Sequence, residues 1–247
     1  MKSKSSRKRL DLVLVERGLA DSQKSAQALI LAGEVKLDGA PARKAGMQVA
    51  PDARIELARP QKFVSRGGLK LEGALEDFSI DPTGRICLDI GVSTGGFTDC
   101  LLHRGAARVF ALDVNVSQLA WKLRQDPLVF PVEANARNLT LTVVPEPVDL
   151  IVADVSFISV CRILAPAAAC AQPNADFLLL IKPQFELPRE DVPAGGVVLD
   201  PQLHQKAIES VKQAAEKACW RVMQVLPSRL KGAEGNQEYF LHARKRS

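Results

Sequence analysis

The sequence predicts an α/β protein: a mostly parallel sheet of about seven strands with helices on both faces, preceded by a small α+β unit. Two observations predict it. The first is a break in composition. Residues 1–62 hold 13 basic and 7 acidic side chains and no Phe, Trp or Tyr, whereas the rest of the 247 residues holds 20 basic, 21 acidic and every aromatic residue. The second is rhythm: from Arg85 onward, short β-rich runs alternate with helical ones, the pattern of strands joined by crossover helices. The expected domains are residues 1–58, with a basic tail at 1–8, and residues 63–247. Residues 59–62 form the linker, where the Pro60 segment interrupts the periodicity.

In the first domain, Leu10, Val13, Leu14 and Leu19 fit an amphipathic helix that stops at Gly18. Ser22 is a good N-cap for a second helix, residues 23–31, with Ala26, Leu29 and Ile30 inward and Gly33 as its stop. Val35 and Leu37 alternate as in a strand, Asp38-Gly39 signals a tight turn, and residues 54–57 form a further short strand. In the second domain strands are expected at 86–90, 109–113, 128–132, 148–154, 177–181, 221–226 and 238–242. Helices are expected at 97–103, 117–124, 161–171 and 202–217.

Several classes fall away. The longest apolar runs are far short of the roughly 20 residues a membrane helix needs. The apolar stretch after the basic amino terminus is broken by Asp11, Glu16 and Arg17 and lacks a cleavage site, so no signal peptide is read and a cytoplasmic monomer is expected. Five scattered cysteines and three distant histidines, His103, His204 and His242, predict neither a disulfide framework nor a metal site.

Arg7, Lys8, Arg9, Lys24, Lys36, Arg43 and Lys44 fall at helix starts and turns, where cationic heads can reach phosphates while apolar faces pack inward. Without aromatic residues no platform exists for stacking bases, so the expected ligand is structured RNA held by backbone and shape. Ordinary solvated charge is the alternative. In the second domain, Asp89-Ile90-Gly91-Val92-Ser93-Thr94-Gly95-Gly96-Phe97-Thr98 follows the first strand. Its glycine spacing matches neither the dinucleotide fingerprint nor the P-loop and suits an uncharged or zwitterionic nucleoside. Asp113, ending the next strand, can accept hydrogen bonds from both ribose hydroxyls. Asp154 and Lys182 each follow an apolar run directly, which places them at strand ends on the ligand side.

Residues 7–57, with Arg9-Leu10-Asp11, Glu16-Arg17-Gly18-Leu19, Ser22 and the run from Leu31 to Gly39, resemble the S4 RNA-binding domain, except that Gln23 stands where an Arg is usual. The glycine loop resembles motif I of S-adenosylmethionine-dependent methyltransferases, in the branch of the FtsJ heat-shock ribose methyltransferase. With Phe63-Val64-Ser65-Arg66-Gly67-Gly68-Leu69-Lys70-Leu71, residues 7–243 resemble the TlyA (hemolysin A) family of ribosomal RNA 2′-O-methyltransferases. The resemblance implies a Rossmann-like methyltransferase sheet behind an S4 domain, with S-adenosylmethionine as cofactor, rRNA or ribosomal subunits as partner, cytidine as target, and no metal.

By the same resemblance, Lys70, Asp154, Lys182 and Glu238 are catalytic. Asp89, Gly91, Ser93, Thr94, Gly95 and Gly96 hold the methionine end of the cofactor, Asp113 its ribose, Asn135 and Ala136 its adenine, and Asp154 touches cofactor and substrate alike. Ser22, Gln23 and Arg66 join the expected RNA contacts. A turn-forming role for Asn135 is an equally good reading. Lys182 is either the base that takes the hydroxyl proton or a cation that steers the hydroxyl; a neighbouring Lys70 favours the first, and Asp154 and Glu238 favour the second.

Ser228-Arg229-Leu230-Lys231-Gly232 departs from the family's Ser-Pro-Ile-x-Gly, although Arg229 and Lys231 suit RNA. Residues 188–196 read as a lid or a solvated loop, and Arg244-Lys245-Arg246 as phosphate contacts or a frayed end. Two other functions compete. A cytolytic protein, suggested by the family's older name, is opposed by the lack of a secretion signal. A non-catalytic RNA- or ribosome-binding protein is opposed by the intact Lys-Asp-Lys-Glu set.

Overall fold

The computed structural model describes residues 7–20, 22–50, 52–57, 62–232 and 234–246. It divides into two compact units, residues 1–61 and 62–247. The expected linker lies outside the described residues apart from Lys62, as does most of the basic tail.

The first unit runs β1 (Lys8–Arg9), α1 (Leu10–Glu16), α2 (Gln23–Leu31), β2 (Val35–Leu37), β3 (Ala40–Pro41), β4 (Gln48–Val49) and β5 (Ile55–Leu57). Ser22 caps α2, its Oγ accepting from the Ser25 amide at 3.2 Å. Leu10, Val13, Leu14, Ala26, Ile30, Val35, Ala42 and Val49 make a small core between the two helices and the three-stranded β3-β2-β5 sheet.

The second unit opens with α3 (Arg66–Asp77), which the sequence reading did not include. Gly67 and Gly68 conceal it, because a glycine pair is poor helix sequence. Close packing explains Gly68: a side chain there would strike the Phe63 ring, and one on the facing Gly96 would strike the Ser65 hydroxyl and the Gly68 amide. The chain continues β6 (Ile86–Ile90), α4 (Gly96–His103), β7 (Arg108–Asp113), α5 (Trp121–Arg124), β8 (Val129–Glu133), β9 (Val148–Ala153), α6 (Leu164–Cys170), β10 (Ala171–Ile181), α7 (Pro183–Glu186), α8 (Pro201–Lys217), β11 (Trp220–Pro227) and β12 (Tyr239–Lys245). The seven strands form one sheet in the order β11-β12-β10-β9-β6-β7-β8. Only β12 runs against its neighbours.

Two expected helices are shorter than read. Residues 117–124 split into a single 3-10 turn and α5, because Leu119 and Ala120 adopt extended conformations that press Leu119 and Leu123 onto Gly95. Residues 161–171 give α6 only from Leu164, which leaves Pro166 in the first turn, where its missing N–H costs nothing. The frayed carboxyl end is also corrected. Arg244 donates to Asp176 at 3.2 Å, Lys245 to the Ala171 carbonyl at 2.7 Å, and Arg246 pairs with Glu216.

Candidate active site

Sheet register assembles the site. At the carboxyl edge, Ile90 pairs with Ala153 across β6 and β9, so Asp154 stands beside Gly91, and the Asp154 amide donates to the Ile90 carbonyl at 3.0 Å. On the far side of β10, Ile181 pairs with Tyr239. Because β12 is reversed, Glu238, just before that strand, lies beside Lys182, just after β10. The loops at this edge carry chain breaks in direction that glycine permits: Gly91 has φ +84°, and a side chain there would come within 2.5 Å of the Asp154 carbonyl.

Two ion pairs result. Lys182 Nζ stands 2.5 Å from Asp154 Oδ1 and donates to Ser156 Oγ at 2.8 Å. Lys70 Nζ, from α3, stands 2.5 Å from Glu238 Oε2. Both Lys182 and Glu238 are buried, at 7% and 3% exposure, so these pairs are largely withdrawn from water, where charge pairing is strong but must be geometrically satisfied. Lys70, Lys182 and Ser156 line two adjoining cavities. One, of about 260 Å³, is completed by Arg66, Gly91, Ser93, Thr94, Gly96, Asp154 and Lys231, among others. The second, of about 500 Å³, is bordered by Phe157, Phe185, Asn236 and Glu238.

The remaining expected cofactor residues surround this lining without entering it. Asp89 is fully buried, with Oδ2 accepting from the Thr98 hydroxyl at 2.7 Å and Oδ1 without a partner. Burial pushes its carboxyl up to about 7, helped by the charge of Asp154 and Asp113 and opposed by Thr98. Asp113 accepts from the amides of Ser93 at 3.0 Å and Asn115 at 3.2 Å, tying β7 to the glycine turn. Gly95, at φ +96°, turns toward Leu119 and Leu123. Asn135 closes a turn on the Arg137 amide at 3.0 Å, and Ala136 is packed in the main core, so neither side chain reaches the cavity.

Ser156 and Phe157 did not figure among the expected site residues. The sequence offered only their nearness to Asp154, two and three residues after it. Phe157 is 89% exposed, has φ +65°, and rests its ring 5.4 Å from that of Phe185. A bulky residue held in the left-handed region with its ring in solvent is a costly arrangement that packing alone does not explain.

In the first unit Arg7, Lys8, Arg9, Lys24, Lys36, Arg43 and Lys44 are all exposed. Lys8 is paired with Glu16 at 2.9 Å and Arg9 with the buried Asp11 at 2.7 Å. Gln23 donates to the same Asp11 at 3.1 Å and Ser22 is taken up by its cap, so these two side chains have structural partners.

Among the described residues no cluster of His, Cys, Asp and Glu is arranged to hold a metal, and no helix is long and apolar enough to cross a membrane. Residues 63–245 match the model of FtsJ-like methyltransferases, and residues 8–55 that of the S4 domain. The 16S/23S rRNA (cytidine-2′-O)-methyltransferase TlyA of Mycobacterium tuberculosis is 48% identical over 96% of this chain and 90% of its own length. The chain belongs to the TlyA family. Within that family Hemolysin A of Brachyspira hyodysenteriae is 40% identical, covering 95% of this chain and 98% of its own. A solved structure described as a hemolysin of Streptococcus thermophilus superposes with a TM-score of 0.75 at 34% identity, covering 98% of this chain and 90% of that one. The TlyA architecture, an S4 domain ahead of an FtsJ-like domain, thus accounts for both units.

Proposed function

We propose that this TlyA-family chain transfers a methyl group from S-adenosylmethionine to the 2′-hydroxyl of a cytidine ribose in ribosomal RNA, acting in the cytoplasm as a monomer. Residues 1–58 bind RNA, 59–62 link, and 63–247 carry the chemistry. The observation that carries this reading is the convergence of two partly buried lysine–carboxylate pairs on two adjoining cavities beside a glycine turn, in a chain 48% identical to a ribose methyltransferase of rRNA.

The residues fit the cofactor. Asp89 keeps a buried carboxylate oxygen unpaired at the foot of the glycine turn, an acceptor suited to an ammonium or hydroxyl donor. Gly91, Ser93, Thr94 and Gly96 line the cavity with small groups and backbone, and Asp113 and Asp154 flank it. Asn135 and Ala136 are proposed to contribute through their backbone. When bound, the cofactor supplies an electrophilic methyl carbon on a sulfonium.

The chain's own residues then have to orient an alcohol. An ammonium has three donors. Lys182 directs one to Ser156 Oγ and is held by its ion pair with Asp154, whose Oδ1 has no hydrogen-bond partner, which leaves a donor for the ribose oxygen. This division of labour makes Lys182 the steering cation, aligning a lone pair with the carbon, and positioning of this kind supplies much of the rate. The hydroxyl proton is lost once the oxygen has begun to bond to carbon, when it is acidic enough to pass to the Asp154 carboxylate. Lys70 and Glu238 close the far wall as a matched pair.

Purified chain incubated with ribosomal subunits and labelled S-adenosylmethionine should place label on 2′-oxygens, mapped by resistance of the modified ribose to alkaline cleavage. Lys182→Ala should abolish transfer and retain RNA binding. Equal activity in that variant, or no labelled nucleotide with the native chain, would remove the proposal.

A further inference from the structure

We infer that Lys231 is a further contact for an RNA backbone phosphate at the active-site mouth, and that Arg229 is the positioning residue that places it there. The inference rests on the methyl-transfer reading above and deepens it.

The loop between β11 and β12 makes the case. Arg229, which reads as an RNA contact from its sequence, is committed elsewhere: Nη2 and Nε reach the two Asp77 oxygens at 2.7 and 3.2 Å, and Nη1 reaches Glu76 at 2.8 Å. Its stem lies over Gly73, where an added side chain would come within 2.8 Å of Cδ. All three partners belong to α3. Positions 66, 70, 73 and 77 are spaced by four, three and four residues, so they share one face of that helix. A planar fork bound to two carboxylates is a far more directional anchor than a lysine would be.

The anchor bears on the cavity. Arg66 and Lys70 sit at one end of that face, and the loop clamped at the other end brings Lys231 into the same lining. Within the loop, Ser228 Oγ accepts from the Leu230 amide and donates to the Leu230 carbonyl at 2.8 Å, and Gly232 donates to the Asn236 carbonyl at 2.9 Å, which fixes both sides of Lys231. Gly232 packs directly on Glu238, where an added side chain would come within 2.7 Å of Oε1, so the loop lies against the Lys70–Glu238 pair.

Charge then identifies the ligand. Four cations line the cavity: Arg66, Lys70, Lys182 and Lys231. Lys70 and Lys182 are matched by Glu238 and Asp154. Arg66 and Lys231 are exposed and have no carboxylate partner among the described residues. Two unmatched cations at the rim of a site for a ribose hydroxyl fit the phosphates that flank that ribose.

The test uses the full chain with isolated ribosomal subunits, reading methyl transfer and, separately, equilibrium RNA binding without cofactor across a salt series. Lys231→Ala should raise the KM for RNA about tenfold with kcat within about twofold, and lower the slope of log affinity against log salt by roughly 0.7 to 0.9, the value for one phosphate. Lys231→Arg should restore both. Arg229→Ala should reproduce the KM effect, and the double variant should be no worse than Lys231→Ala alone, since one acts through the other. An unchanged salt slope in Lys231→Ala, a loss confined to kcat, or additive losses in the double variant would overturn the inference. If the native chain transfers no methyl group, the functional reading fails, while the salt slope of binding still decides the role of Lys231.

Discussion

Asp89 holds one oxygen against Thr98 and leaves the other with no partner inside the core. Its carboxyl, raised to about 7 by burial, makes folding sensitive to pH in a defined direction. A carboxyl whose folded pKa exceeds its unfolded value is favourable when protonated, so the ligand-free chain loses stability as pH rises from about 4 to about 7. Asp89→Asn keeps the acceptor for Thr98 and should raise the thermal midpoint at about pH 8 while leaving it nearly unchanged at about pH 4. A midpoint that moves equally at both would show that the charge of Asp89 is not what is strained. Phe157 makes a second expectation at this scale. Its ring is almost wholly in solvent, so Phe157→Ala should leave the thermal midpoint in place. If the ring stacks on a base, worth about 1 to 3 kcal/mol, RNA affinity should fall by about fivefold or more, read by titration with rRNA. Single residues were legible from the sequence where strand logic points at them: Asp154 and Lys182 each close an apolar run. Ser156 and Arg229 were not, because their partners, Lys182 and the Glu76–Asp77 pair, come from distant segments.

At the scale of elements, the strands of the sheet were readable because each is a short apolar run between turn signals, and their limits fall within a residue or two except that β10 begins at Ala171, six residues before the expected 177, and β12 runs to Lys245, three beyond the expected 242. Helices fared less well where tertiary packing overrides local preference. The helix α3 opens with a glycine pair that lowers its propensity, with Gly68 letting Phe63 and α4 approach, and the residue 117–124 segment breaks to deliver two leucines onto Gly95. The prediction that belongs here concerns Gly68. In an exposed helix Gly→Ala stabilises by about 1 kcal/mol. At Gly68 the new methyl meets the Phe63 ring, and the overpacking should instead destabilise by about 1 to 3 kcal/mol, measured by chemical denaturation. A stabilised Gly68→Ala chain would mean that the contact between α3 and Phe63 relaxes freely.

At the scale of the whole molecule, the charge break in the sequence coincides with two units that each own a core. Exposed basic residues on the first unit and a pocket of paired charges in the second imply separable contributions to binding. Removing residues 1–61 should therefore cost RNA affinity heavily and flatten its salt dependence, with cofactor affinity within about twofold, both measured by titration. The composition made the division visible. It did not show that the last strand would run backwards, because direction is settled by how β12 inserts between β10 and β11 and not by any local pattern.

That reversed strand has a temporal consequence. Glu238 is delivered to the site by β12, so a chain that has reached Lys182 but not Glu238 carries the glycine turn, α3 and both members of the Lys182–Asp154 pair yet leaves Lys70 without its counter-ion. Lys70 therefore waits for a residue 168 positions further along the chain before its charge is matched.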